Sequence, residues 1–445
     1  MNMKKIHLII YMICLSISLQ ARDGISHETL CKDAPLTVAD SFENKALSAG
    51  SSACDTLSCD TLACDTLACD TIASTLTWPQ NVVARINRLL DNPLLQRTQL
   101  GLMVYDLTAD SVIFQTGERQ TLRPASVMKL VTAITALDRL GSNYQFRTSL
   151  YYTGQVKDSV LRGDIYCVGG MDPRFNHDDM NAFAESIRRM GVDSIQGRII
   201  ADTSMKDETR LGEGWCWDDE NPVLTPLLTS QEDDFMNMFV ESLNSKGIDT
   251  SGATVEEGTL PSGAYALCSR FHSLDQILMR MIKESDNLYA ESMYYQIAAL
   301  GGTKRASADN ARTQERKLIS KIGLKPANYK LADGSGLSLY NYVTVELIVK
   351  LLRYAYQNAN IFDSLYPALP IAGTDGTLAK RMKGPFTNGN VRAKTGTLTG
   401  ISSLAGYCVS ANNHLLAFCI INQGVLRNSA GRNFQDRVCI ALCEP

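Results

Sequence analysis

Ser126 and Lys129 stand three positions apart in Arg123-Pro124-Ala125-Ser126-Val127-Met128-Lys129. On a helix that spacing puts both side chains on one face. A serine hydroxyl needs a base to act as a nucleophile, and a neutral lysine can be that base. Burial and a second nearby cation both favour the neutral amine. Alone, Ser-x-x-Lys is a weak signal, because most such pairs are solvated helix starts. Two more triplets strengthen it, Ser285-Asp286-Asn287 and Lys394-Thr395-Gly396. Each by itself is an ordinary turn or strand edge. All three in this order point to serine acyl transfer.

The residue types divide the work of such a reaction. Ser126 attacks an acyl carbon and Lys129 takes its proton. Ser285 relays that proton to the leaving amine, and Asn287 holds a substrate amide or steadies Lys129. Lys394 offers a cation to a carboxylate terminus, Thr395 adds a hydroxyl donor, and Gly396 leaves room for a substrate backbone beside the strand. The developing oxyanion needs two preorganised donors. The backbone N–H groups of Ser126 and Thr397 are the candidates.

These residues need elements to hold them. Leu130, Val131, Ile134, Leu137 and Leu140 recur at helical spacing after Ser126, with Pro124 as a start signal and Gly141 as a stop. Leu274, Ile277, Leu278, Met281 and Ile282 make a second helix that leads to Ser285. Gln99–Asp106 and Ser111–Gln115 read as a strand and its hairpin partner. Ser403–Val409 and His414–Asn422 read as two strands after Lys394, and a helix follows over about 431–442. The fold class is mixed α/β (α+β), an antiparallel sheet flanked by helices, with the nucleophile helix under the sheet edge that carries Lys394. Ser126 and Ser285 are 159 positions apart, a gap that holds an inserted, mainly β domain over about 151–261. Within it, 159–168 and 195–203 read as short strands and Phe235–Lys246 as a helix stopped by Gly247. The catalytic domain is therefore split into 77–150 and 262–445.

The chain has 445 residues, a formal net charge of −4, and 45% hydrophobic and 20% charged residues, which excludes wholesale disorder and collagen-like or coiled-coil structure. There is no long run of Lys and Arg, so nucleic acid is not an expected partner. The five His lie far apart, and no metal or organic cofactor is expected. Residues 1–21 read as a signal peptide: a basic start, an apolar run from about Ile6 to Leu19, and Gln20-Ala21. The run is shorter than the ~20 residues of a membrane span, so no stable span is expected and the chain is read as exported, periplasmic or extracytoplasmic. Residues 22–76 read as a low-complexity linker, because Cys54, Cys59, Cys64 and Cys69 head copies of a Cys-Asp-Thr-Leu repeat whose period of five matches neither helix nor strand. Most other Cys are expected to be small buried apolar residues.

With these residues the chain resembles the D-alanyl-D-alanine carboxypeptidase/endopeptidases, the class C low-molecular-mass penicillin-binding proteins. The resemblance runs from about Trp78 to the C-terminus. It includes Asp333-Gly334-Ser335-Gly336-Leu337-Ser338, Gly373-Thr374-Asp375-Gly376-Thr377-Leu378, and Lys394-Thr395-Gly396-Thr397-Leu398 followed by Ser403-Leu404-Ala405-Gly406-Tyr407. Arg162-Gly163-Asp164-Ile165-Tyr166 and Gly170-Met171-Asp172-Pro173 resemble the family's inserted domain. The short stretch between Trp215 and the helix at Phe235 leaves a second, nested domain absent or trimmed. The resemblance implies removal of a terminal D-alanine, cutting of D-alanyl crosslinks in peptidoglycan stem peptides, or both, with β-lactams as inhibitors that acylate Ser126. It also implies that Trp217 and Asp218 or Asp219 contact the amino-bearing side chain of a stem peptide.

Two other readings stay open beside it. A secreted β-lactamase would need a water-activating group, commonly a Glu, and Glu291 lies four residues past Asn287. A non-catalytic wall-binding or penicillin-sensing module would not need the intact Ser126, Lys129, Ser285, Asn287 and Lys394.

Overall fold

The computed structural model describes residues 77–217, 221–300 and 305–445. The signal peptide and Cys repeat expected in 1–76, together with Asp218 and Asp219, lie outside them.

A five-stranded antiparallel sheet forms the centre. Its order is Arg392–Leu398, Ile401–Val409, Leu415–Gln423, Gln99–Asp106, Ser111–Thr116. The two ends of the described chain meet here, with Gln99 opposite Gln423 and Asp106 opposite Leu416. Side chains alternate between two cores, as the period of two requires. Leu102, Val104, Leu416, Phe418 and Ile420 join the core under helices Trp78–Leu90 and Asn428–Cys443. Met103, Ala417, Cys419 and Ile421 join the core on the other face, beside helices Met128–Arg139 and Val345–Tyr356. Burial on both faces is why these strands read as nearly unbroken apolar runs. Helix Met128–Arg139 is buried from Met128 to Leu137, so it is a central helix with no solvent face.

A second sheet has seven strands and is mixed. Its path is Gln155–Lys157, Val160–Arg162, Ser194–Asp202, Ile165–Val168, Gln145–Tyr152, Tyr265–Ser273, with Ala253–Glu257 also paired to Ser194–Asp202. Ser194–Asp202 runs parallel to three of its neighbours. Helices His177–Arg189 and Phe235–Ser245 cover it with Phe175, Phe183, Phe235 and Phe239, whose rings pack edge-on or tilted. The sheet reaches beyond 151–261 at both ends. Gln145–Tyr152 enters it and Tyr265–Ser273 leaves it, paired with each other from Gln145–Ser273 to Tyr152–Tyr265. The leaving strand runs straight into helix Leu274–Lys283, capped by Ser273, and that helix ends just before Ser285.

Candidate active site

Ser126 sits in a single 3-10 turn, Ala125–Val127, that feeds directly into the central helix. Ala125 has φ +49°, a left-handed conformation that L residues rarely adopt. The turn is held by close neighbours. Ser403 Oγ donates to the Pro124 carbonyl at 2.6 Å. A Cβ on Gly396 would lie 2.1 Å from Ser403 Oγ and 3.0 Å from Ser126 N. The room that Gly396 makes is taken first by the Ser403 hydroxyl, then by the Pro124 carbonyl and the Ser126 amide. Gly336, at φ +80°, similarly lets the Ala125 carbonyl approach.

Lys129 is fully buried one turn on, with its Nζ 3.1 Å from Ser126 Oγ. Nζ also meets Asn287 Oδ1 at 2.7 Å and the Ser335 carbonyl at 2.8 Å. Burial drives the Lys129 ammonium down, while the charges of Asp333, Glu291 and Asp286 pull it back up, and it settles at about 8. A lysine in that range is neutral often enough near neutrality to take a proton.

Ser285 has φ +62° and sits between two helices, and Asp286 caps the second by accepting from Tyr289 N. Arg280 closes the other side of Asp286 at 2.9 Å. Lys394 is also fully buried, and its Nζ donates to Ser285 Oγ and to the Thr395 carbonyl, each at 2.7 Å. Its ammonium lies well below the ordinary lysine range, through burial and then repulsion from Lys129. Thr395 Oγ1 meets Thr377 Oγ1 at 2.8 Å. Thr397 is exposed on the strand that forms one edge of the central sheet, opposite Ser402. Asp375 anchors this corner, pairing with Lys283 Nζ at 2.6 Å and accepting from Ile371 N at 2.7 Å. Ser126, Lys129 and Asn287 thus form one hydrogen-bonded set through Lys129, and Lys394 and Ser285 form a second, with the Lys129 charge acting on Lys394.

The sequence singled out Asp333 and Glu291, but not the supporting layer they build beneath the site. Asp333 accepts from Gly336 N at 2.8 Å, Ser338 N at 2.6 Å, Asn341 Nδ2 at 2.7 Å and Trp215 Nε1 at 2.8 Å. Trp215 is buried, and its segment docks on this loop, where Ser338 Oγ donates to the Glu213 carbonyl. Trp217 is instead 86% exposed. Glu291 is buried and accepts from Gly334 N and Ser335 N at 3.1 and 2.7 Å. Burial and the Asp333 charge push Glu291 up to about 8. It faces a backbone turn, so it is not placed to activate a water for fast deacylation. The signal for it was its place one turn past Asn287.

A family model described as the D-Ala-D-Ala carboxypeptidase 3 (S13) family matches residues 82–227 and 225–442. The D-alanyl-D-alanine carboxypeptidase of Actinomadura sp. (strain R39) is 27% identical, across 81% of this chain and 84% of that protein. The crystal structure of penicillin binding protein 4 (dacB) from Haemophilus influenzae superposes with a TM-score of 0.73 at 22% identity, covering 80% of this chain and 97% of its own. A second structure of that protein, complexed with a β-lactam, gives a TM-score of 0.67 at 22% identity, covering 82% and 100%. At that identity the superpositions speak for the fold. Among the described residues, no helix is long and apolar enough to cross a membrane.

Proposed function

We propose that this chain, which belongs to the D-Ala-D-Ala carboxypeptidase 3 (S13) family, is a serine D-Ala-D-Ala carboxypeptidase and DD-endopeptidase acting on peptidoglycan stem peptides. The observation that carries this reading is the buried Lys129 Nζ set 3.1 Å from Ser126 Oγ and 2.7 Å from Asn287 Oδ1.

In the reaction, Ser126 Oγ forms a bond to the carbonyl carbon of the penultimate D-alanine while its proton passes to Lys129 Nζ. The oxyanion is met by the backbone N–H groups of Ser126 and Thr397. As the C–N bond breaks, the proton returns to the leaving amine through Ser285 Oγ, which Lys394 holds at 2.7 Å. Water then cleaves the acyl-enzyme and restores Ser126. Lys394 and Thr395 receive the substrate carboxylate, and Trp217, which is exposed, acts with Asp218 or Asp219 on the amino-bearing stem side chain. β-Lactams acylate the same serine. The same proposal places the chain outside the cytoplasm, where its substrate is.

The test is intact mass after incubation with penicillin, with peptide mapping, on the wild type and on Ser126→Ala. A lasting adduct on Ser126, absent from the variant, is expected. A short-lived adduct with hydrolysed penicillin accumulating would turn the reading to a β-lactamase. No adduct from folded protein would leave the non-catalytic module.

A further inference from the structure

Glu291 lies one turn past Asn287 on helix Asn287–Ala299, which is buried almost all round. An acid there costs stability, because burial opposes its charge and an apolar side chain would avoid that. What it gains is the grip on two amides, Gly334 N and Ser335 N. The turn is held at the far side too, where Thr132 Oγ1 donates to the Gly334 carbonyl at 2.7 Å from the helix of Lys129. The next carbonyl, Ser335 O, is the one that Lys129 Nζ meets at 2.8 Å. One rigid helix therefore reaches Lys129 twice, directly through Asn287 and through the loop by Glu291.

We propose that Glu291 is a positioning residue for the Lys129 base: it fixes the Ser335 carbonyl that aims Nζ at Ser126. This rests on the acyl-transfer reading above. The titratable and charged groups facing Glu291 are Lys129 from the nucleophile helix, Asp333 from the loop, Glu315 from helix Ala308–Lys321, and Tyr294 and Tyr295 from its own helix. Lys129 is faced in addition by Asp286 and Lys394.

The experiment is the second-order rate of penicillin acylation against pH for the full chain and for Glu291→Leu, Glu291→Gln and Met293→Ala. Glu291→Leu leaves two amides without an acceptor and frees the carbonyl. Its plateau is expected to fall about 30-fold, within the ~10²-fold that a 1 Å misplacement can cost. Its midpoint is expected below about 8, since both the lost carboxylate and the lost carbonyl alignment favour the neutral amine. Glu291→Gln keeps an acceptor oxygen and is expected to hold the plateau within about 3-fold. Met293 is a buried core residue of the same helix, so Met293→Ala is expected to lower the melting temperature without moving the pH midpoint. A Glu291→Leu profile that overlays the wild type overturns the proposal. So does a Met293→Ala profile displaced as far as that of Glu291→Leu. If Glu291→Leu does not fold, Glu291→Asp takes its place, with a plateau about 10-fold down expected and an unchanged one overturning the idea. A wild type that takes no adduct sinks the acyl-transfer reading instead. The Lys129 midpoint, followed by NMR of ¹⁵N-labelled lysine side chains, then still decides the positioning role: no movement in Glu291→Leu overturns it.

Discussion

The two buried lysines occupy niches that differ in their neighbours. Lys129 is surrounded by Asp333, Glu291 and Asp286, whose charges offset burial and hold it at about 8. Among the described residues no carboxylate offsets the burial of Lys394, and Lys129 repels it, so it lies well below the ordinary lysine range. Both touch a serine hydroxyl, Ser126 at 3.1 Å and Ser285 at 2.7 Å. The same pairing therefore supports two jobs. A lysine with acids behind it can take and return a proton near neutrality. A lysine without them lacks a counter-charge, and under the proposed function a carboxylate-bearing substrate would supply one and favour the protonated Lys394.

The largest expected effect tests the first niche. Lys129→Arg puts in a guanidinium that cannot be deprotonated, and acylation should fall about 10²–10⁴-fold, read by stopped-flow with a chromogenic cephalosporin. In the wild type, acylation should decline as pH falls through about 8, because the ammonium cannot accept the proton. A flat profile there would point to another base. Next, Lys394→Met should slow a carboxylate-bearing substrate about 100-fold and its neutral ester by less than about 5-fold. Equal losses would mean that Lys394 serves Ser285 alone. Asp333→Asn should make the first niche resemble the second. It turns a donor toward one pair of partners, either Gly336 with Asn341 or Ser338 with Trp215, costing about 1–3 kcal/mol in denaturant unfolding, and moves the acylation midpoint down. A midpoint that stays put would assign the offset to other groups. The smallest effect belongs to Trp217→Ala. Stability should change by less than ~0.5 kcal/mol, while cleavage of amine-bearing stem peptides falls a few-fold relative to a simple thioester, as expected for one aromatic contact of ~0.5–1.5 kcal/mol.

Much of the site was legible because its parts are local. Ser126 and Lys129 lie one turn apart where a 3-10 turn runs into a helix, and Asp286 caps the helix that Asn287 begins, so spacing conveys most of their geometry. The strand at Gln99–Asp106 came out with its bounds, and its hairpin partner Ser111–Thr116 with one more residue, because apolar runs end at polar turns. The supporting layer was not legible, because it is made across long separations. Trp215 meets Asp333 across 118 positions and Glu291 meets Ser335 across 44, and nothing local marks an acid as buried. The width of the second sheet escaped for the same reason: Gln145–Tyr152 and Tyr265–Ser273 earn their place only by pairing with each other.

Ala125 and Ser285 flank the chemistry with φ +49° and +62°, angles that glycine or asparagine hold more comfortably. Non-glycine residues in that region carry about 1–3 kcal/mol of strain each. A selection for heat resistance alone would favour Ala125→Gly, and the library would report it as an improvement. The turn that presents Ser126 would meanwhile gain freedom it now lacks. Thermostability rankings of this protein would therefore mislead at these two positions, and sorting variants by acylation rate as well as by melting would expose them.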